Sequence, residues 1–175
     1  MAKVGSTLIR NACEQYKKFV ADHPGATKLY VPVAFAQLSD ADFIDTLKKI
    51  LKDTGIAPAT LILEVPEDQA LCNANVGTPV IKSLNTLGVK IAIINFNGDS
   101  SSLFCLKSLP IVALKLSAQL VQGIDQEANS TLVSAIIMVA ECYGYTVIAS
   151  NVKNDQQKRV LMEKGCKLME GKLFN

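Results

Sequence analysis

Two charged residues stand where apolar runs stop. Glu64 follows Leu61-Ile62-Leu63, and Lys115 follows Ile111-Val112-Ala113-Leu114. Polar residues in comparable places are Glu67, then Asn95, Asn97, Asp99 and Ser100, then Ser117, then Ser150, Asn151 and Lys153, and finally Glu170. Asn95, Asp99, Ser100 and Glu170 are the candidate ligand-binding residues among them. A pair of divalent ions needs several converging carboxylates. Glu64 alone sits squarely at a run's end, so no metal site and no cofactor site is read. Lys115 can meet a phosphate, pair with Glu64, or reach solvent. Gly98-Asp99-Ser100-Ser101-Ser102 opens a helix, where backbone N–H groups can bind an anion. N-capping by Asp99 or Ser100 accounts for the same residues. His23 is the one histidine and lies beside Pro24, which supports neither a triad nor a histidine-ligated metal.

The elements that must position these residues follow from apolar spacing and from turn residues. Helical spacing predicts helices over Ser6–Val20, Ser39–Asp53, Pro79–Leu87, Ser100–Ser108, Asn129–Tyr143 and Asp155–Lys164. Ser39 is the expected N-cap of the second, and Gly55, Gly88, Gly144 and Gly165 stand just past helix ends. Short, continuously apolar runs predict strands over Leu29–Phe35, Thr60–Val65, Val89–Phe96, Ile111–Leu116, Tyr145–Ala149 and Lys167–Met169. Pro32 is expected near the end of its strand or at a bulge. Continuous rather than alternating hydrophobicity means that both faces of the sheet are covered, as in parallel sheets. Strands alternating with helices then predict an α/β fold, either an open doubly wound sheet or a closed barrel. In both, ligands bind at the carboxyl ends of the strands. No GxGxxG or GxxxxGK[ST] motif follows any strand, so dinucleotide and P-loop sites lack support.

Composition narrows the function classes. Of 175 residues, 49% are hydrophobic and 19% charged, which predicts a globular chain. A formal charge of +2 argues against electrostatic capture of nucleic acid or an anionic membrane. The five cysteines, Cys13, Cys72, Cys105, Cys142 and Cys166, show no CxxC spacing and read as reduced thiols. Cys13 and Cys142 fall on apolar helical faces, where core packing is expected. The longest apolar run, Ala135–Ala140, is far below the ~20 residues that span a bilayer, and no signal-peptide pattern opens the chain. A soluble, cytoplasmic domain is expected. Leu120 and Val121 are candidate exposed contact residues.

The order of segments resembles the EAL domain family, cyclic di-GMP phosphodiesterases built on a (βα) barrel. Gln37-Leu38-Ser39-Asp40-Ala41-Asp42-Phe43 is similar to the family's QLSDPDF. Leu63-Glu64-Val65-Pro66-Glu67 is similar to LEITE, and Leu87–Ala92 with Phe96 to LGVRIALDDFG. Ser101-Ser102-Leu103 resembles SSL, and Leu109–Lys115 resembles LPIDVLKID. Gly165-Cys166 with Gly171, Leu173 and Phe174 resembles GCDYVQGYLF. Each piece is weak, but their order and spacing together are specific.

The resemblance implies a TIM-barrel-like fold with about six parallel strands, incomplete at the N-terminus because the EALLR strand is absent. One EAL-like domain over residues 1–175 is expected. It also implies roles. Glu64 matches the metal-binding glutamate and Lys115 the catalytic lysine. The asparagine ligand of VNLS falls at Pro32, and the aspartates of DDFG fall at Ile94 and Asn95. The aspartate after the lysine falls at Ser117, the glutamates of AEGVE at Ser150 and Lys153, and a late glutamine at Glu170. Core positions keep the family's pattern while chemical positions do not. The expectation is a non-catalytic EAL-like domain that works through a protein partner or self-association in cyclic di-GMP-type signalling. The alternatives are a non-hydrolysing cyclic di-GMP sensor and a weak phosphodiesterase carried by Glu64 and Lys115.

Overall fold

The computed structural model describes residues 2–71, 74–99, 103, 106 and 109–174. The chain divides into two compact units, Met1–Ile91 and Ala92–Asn175. The first unit holds α1 (Ala2–Asp22), β1 (Leu29–Pro32), α2 (Phe35–Leu38), α3 (Phe43–Thr54), β2 (Leu61–Pro66), α4 (Glu67–Leu71) and α5 (Ala74–Leu87). β3 (Lys90–Phe96) begins there and continues into the second unit. That unit adds β4 (Ala113–Leu116), α6 (Ala118–Gln122), α7 (Glu127–Tyr143), β5 (Thr146–Ala149), α8 (Asp155–Glu163) and β6 (Leu168–Met169).

In the first unit β1 and β2 pair in parallel, with Leu29 opposite Leu61 and Pro32 opposite Glu64. Pro32 is the last residue of β1 and is exposed, which agrees with its missing N–H. The strand is shorter than the apolar run Leu29–Phe35, because Phe35 already starts a helix. Ile9 and Cys13 of α1, Leu47 and Ile50 of α3, Leu61 and Leu63 of β2, and Ile81 and Leu84 of α5 are buried. The expected N-cap Ser39 does not cap α3. The backbone turns twice before the helix, with Asp40 N–H donating to Gln37 O and Phe43 N–H to Asp40 O, so Asp42 takes the flanking position. Gly55 closes α3 in the left-handed region, φ 70°, as expected.

In the second unit the strands run β3-β4-β5-β6, all parallel. Ala113 pairs with Thr146, Lys115 with Ile148, and Ile148 with Leu168. All of β4 is buried, and Phe96, Leu114, Ile136, Ala140 and Leu161 are at or near zero exposure. Six parallel strands interleaved with helices make the α/β fold that the apolar runs predicted, of the (βα) barrel kind that the resemblance implied. Most of the expected helix Ser100–Ser108 lies outside the described residues.

Two readings are corrected here. Leu120 and Val121 are 6% and 0% exposed, because α6 turns both inward. Cys142 is exposed rather than packed, in the last turn of α7, while Cys13 and Cys166 are buried. Burial pushes both buried thiols up, opposed at Cys13 by a hydrogen bond with Thr54 and at Cys166 by backbone hydrogen bonds with Ala149 and Leu168. Among the described residues, no helix is long and apolar enough to cross a membrane.

Tyr145 ties the start of β5 to the segment before β4. Its hydroxyl donates to the carbonyl oxygens of Leu106 and Leu109, both at 3.0 Å, sharing one proton between them. Tyr145→Phe leaves those part-buried acceptors with one donor fewer and is expected to cost about 1 kcal/mol in urea unfolding. Burial raises the phenol above its usual value of ~10, with the Tyr143 side chain adding to the effect. The unfolded chain then loses this proton first, so the contribution is fully present below ~10 and falls as pH rises further. The stability gap between wild type and Tyr145→Phe should therefore narrow above pH ~10. A gap that widens there would contradict this placement.

Candidate functional site

The candidate residues sit at the carboxyl ends of the strands, and each unit carries its own set. In the first unit Glu64 lies near the end of β2 and Glu67 opens α4, with exposures of 8% and 7%. Glu64 O accepts from Val33 N at 3.0 Å, which pins the backbone just after β1 to this strand end. Opposite Glu64 in register stands Pro32, whose side chain has no ligand atom.

In the second unit the ammonium of Lys115 meets a carboxylate. Lys115 Nζ donates to Glu170 Oε1 and Oε2, both at 2.9 Å, and Ser150 Oγ donates to Oε1 at 3.0 Å. The ladder β4-β5-β6 brings these three together, since Lys115 is on β4, Ser150 follows β5 and Glu170 follows β6. The lysine side chain is only 11% exposed and the glutamate 50%. Of the three options open to Lys115 in the sequence, a phosphate, Glu64 or solvent, none named Glu170, which is a carboxylate that meets it within its own unit. A lysine inside an apolar strand needs a counter-charge, and the strand-end carboxylate on the same sheet was the available signal.

The backbone around this cluster is unusual. Glu170 N–H donates to Ala149 O at 2.9 Å, and Glu170 O accepts from Val152 N at 3.1 Å. Leu173 N–H donates to Val152 O at 3.2 Å. These bonds strap the segment after β6 onto the segment after β5. Asn151, in that second segment, has φ 62°, a left-handed value that asparagine tolerates. Asn95 on β3 has φ 57° and sits where the β3–β4 register shifts between Ile93 and Phe96. Left-handed values are uncommon for residues with a Cβ.

The other candidates serve the backbone. Asn97 Nδ2 donates to Asn95 O at 3.1 Å. Asp99 is exposed, and its carbonyl accepts from Leu103 N at 3.0 Å. Ser100 lies outside the described residues. Ser117 Oγ accepts from Leu120 N and so caps α6, a short helix that the sequence reading missed. Lys153 N–H donates to Gln157 Oε1 at 2.8 Å while Gln157 N–H donates to Asn154 Oδ1 at 2.9 Å, a reciprocal cap at the start of α8. Among the described residues no three His, Cys, Asp or Glu side chains gather closely enough to hold a metal ion.

Parallel βα units with polar groups gathered at the strand ends define a (βα)-barrel type of domain, whose ligand face is that end. The chain belongs to the EAL domain family, whose model matches residues 1–175. It is 31% identical over 173 residues to the signaling protein YkoW of Bacillus subtilis, covering 98% of this chain and 22% of that protein. It is 30% identical over 169 residues to the cyclic di-GMP phosphodiesterase NbdA of Pseudomonas aeruginosa, covering 96% of this chain and again 22% of the relative. The chain thus spans about a fifth of the length of these relatives. Among solved structures it is similar to the PaMucR phosphodiesterase in complex with c-di-GMP, with TM-score 0.91 and 26% identity over 99% of this chain and 70% of that one. It is also similar to the EAL domain of Mycobacterium smegmatis DcpA, with TM-score 0.90 and 25% identity over 99% of this chain and 79% of that one.

Proposed function

We propose that this EAL domain does not hydrolyse cyclic di-GMP and acts in that signalling family through contact with a protein partner. The observation that carries the reading is the bidentate Lys115–Glu170 pair, held further by Ser150. Lys115 is the position that resembles the family's catalytic lysine, and a lysine neutralised by an internal carboxylate offers a substrate no net positive charge. The donor set supports the same conclusion. Metal-assisted hydrolysis of a phosphodiester needs converging carboxylates. Here Pro32, Ile94, Asn95, Ser117, Ser150 and Lys153 stand at the positions where the resemblance places ligands and acids. Prolyl, isoleucyl and ammonium side chains do not fit a divalent metal pair.

A surface feature supports partner contact. Met162, Leu168 and Phe174 are 60%, 49% and 48% exposed and line a groove of about 470 Å³ between α8, β6 and the turn after it. Its charged lining residues, Lys158 and Lys167, are both basic. The complementary partner is a segment with apolar anchors flanked by acidic residues.

A second reading, a non-hydrolysing cyclic di-GMP sensor, draws on the similarity to PaMucR, whose structure is a c-di-GMP complex. The two readings share the absence of turnover. Incubation of the chain with cyclic di-GMP and Mg2+ or Mn2+, followed by separation of nucleotides, is expected to return the cyclic compound intact. Accumulation of a linear product that depends on Glu64 would overturn both.

A further inference from the structure

The exposed large apolar side chains of the second unit fall on adjoining elements. Met138 of α7 is 66% exposed, and Met162, Leu168 and Phe174 line the groove against α8. Lys167 and Leu168 line that groove and also a smaller one on the side of α7, where Glu141 is a lining residue. The two grooves thus join into one strip that runs from α8 across β6 to the last turns of α7. Its ends differ in charge. At the α8 end the groove carries Lys158. At the α7 end Met138, Glu141 and Cys142 are exposed and share one helix face, since side chains three and four positions apart are neighbours. α7 contains no lysine or arginine, so Glu141 sets the sign there. Between the ends Lys167 shares the smaller groove with Glu141, so the middle holds both signs.

A strip with apolar surface along it and opposite charges at its ends is complementary to itself. Two copies related by a twofold axis set each end against the other end of its mate, and every contact is made twice. We propose that the partner is a second copy of this chain, docked through this strip, with the α7 end of each copy seated on the groove of the other and Glu141 facing Lys158. The proposal rests on the contact reading above and deepens it by naming the partner. The apolar anchor beside an acidic residue that the groove calls for is carried by α7 itself.

The test is sedimentation velocity of the full chain over a range of concentrations. Wild type is expected to dimerise. Glu141→Lys sets two positive ends against each other and Lys158→Glu two negative ones, so each variant alone is expected to dimerise about tenfold more weakly, or worse. An equimolar mixture of the two restores opposite charges at both contacts and is expected to recover the wild-type affinity. If either variant fails to fold, wild type decides by itself. The reactivity of Cys142 toward a thiol reagent, read by peptide mass spectrometry, should fall as concentration rises. A wild type that stays monomeric, variants that dimerise as wild type does, a mixture that recovers nothing, or Cys142 labelling independent of concentration would overturn the proposal. A monomer that binds a different protein through the same groove would overturn it as well and leave the contact reading standing. Turnover of cyclic di-GMP would overturn the non-hydrolytic reading and leave the dimer untouched.

Discussion

Replacing Gly171 with alanine is expected to destabilise the chain by roughly 3–5 kcal/mol, lowering Tm by about 10 °C in a chain of this length. Gly171 has φ 148°, a region that residues with a Cβ avoid. A Cβ there would lie 2.4 Å from both the N and the O of Val152, which are backbone atoms and cannot rotate away. Those same atoms bond Glu170 O and Leu173 N. The substitution therefore breaks the strap that holds Glu170 over Lys115, and the strand-end cluster should open along with the loss of stability. Thermal unfolding followed by circular dichroism checks the magnitude. A variant that melts within a degree or two of wild type would mean that the segments after β5 and β6 are not packed as described.

The second large effect is an asymmetry. Glu170→Ala is expected to cost about 2 kcal/mol, whereas Lys115→Met costs about 1 kcal/mol or less. Removing the glutamate takes a bidentate counter-charge from an ammonium that is 11% exposed, and weakening the pairing of a buried charge is expensive. Removing the lysine leaves a carboxylate that is half exposed, still bonded to Ser150 and open to water. Solvent screening at the glutamate is why the first figure lies below the ~3–5 kcal/mol of a fully buried pair. Urea titrations of the two variants decide the order. Equal costs, or a larger cost for Lys115→Met, would mean that the lysine is not the buried member.

The strands were legible because each is a short, continuously apolar run, and burial on both faces leaves that mark, as along β2 and β4. Gly55 and Gly144 were legible as helix ends because left-handed caps strongly favour glycine. The short helices α4 and α6 were not, since five residues carry too little periodicity to distinguish a helical turn from a loop. Leu120 and Val121 were misjudged for that reason. Ser39 looked like a cap because Asp42 follows three positions later, but the turns between Gln37 and Phe43 moved the helix start. At the site, Glu64, Lys115 and Glu170 were each visible as polar residues at strand ends. That Glu170, 55 positions away, is the carboxylate beside Lys115 depends on strand order, which no local pattern encodes.

The central claim is that the charge at the strand ends is neutralised from within, leaving the domain to act by contact. The most direct measurement is isothermal titration of cyclic di-GMP into the full chain, with Mg2+ and then with chelator, and recovery of the nucleotide afterwards. The account predicts no heat of binding at either condition and intact nucleotide throughout. Binding that needs Mg2+ and yields linear product would contradict it.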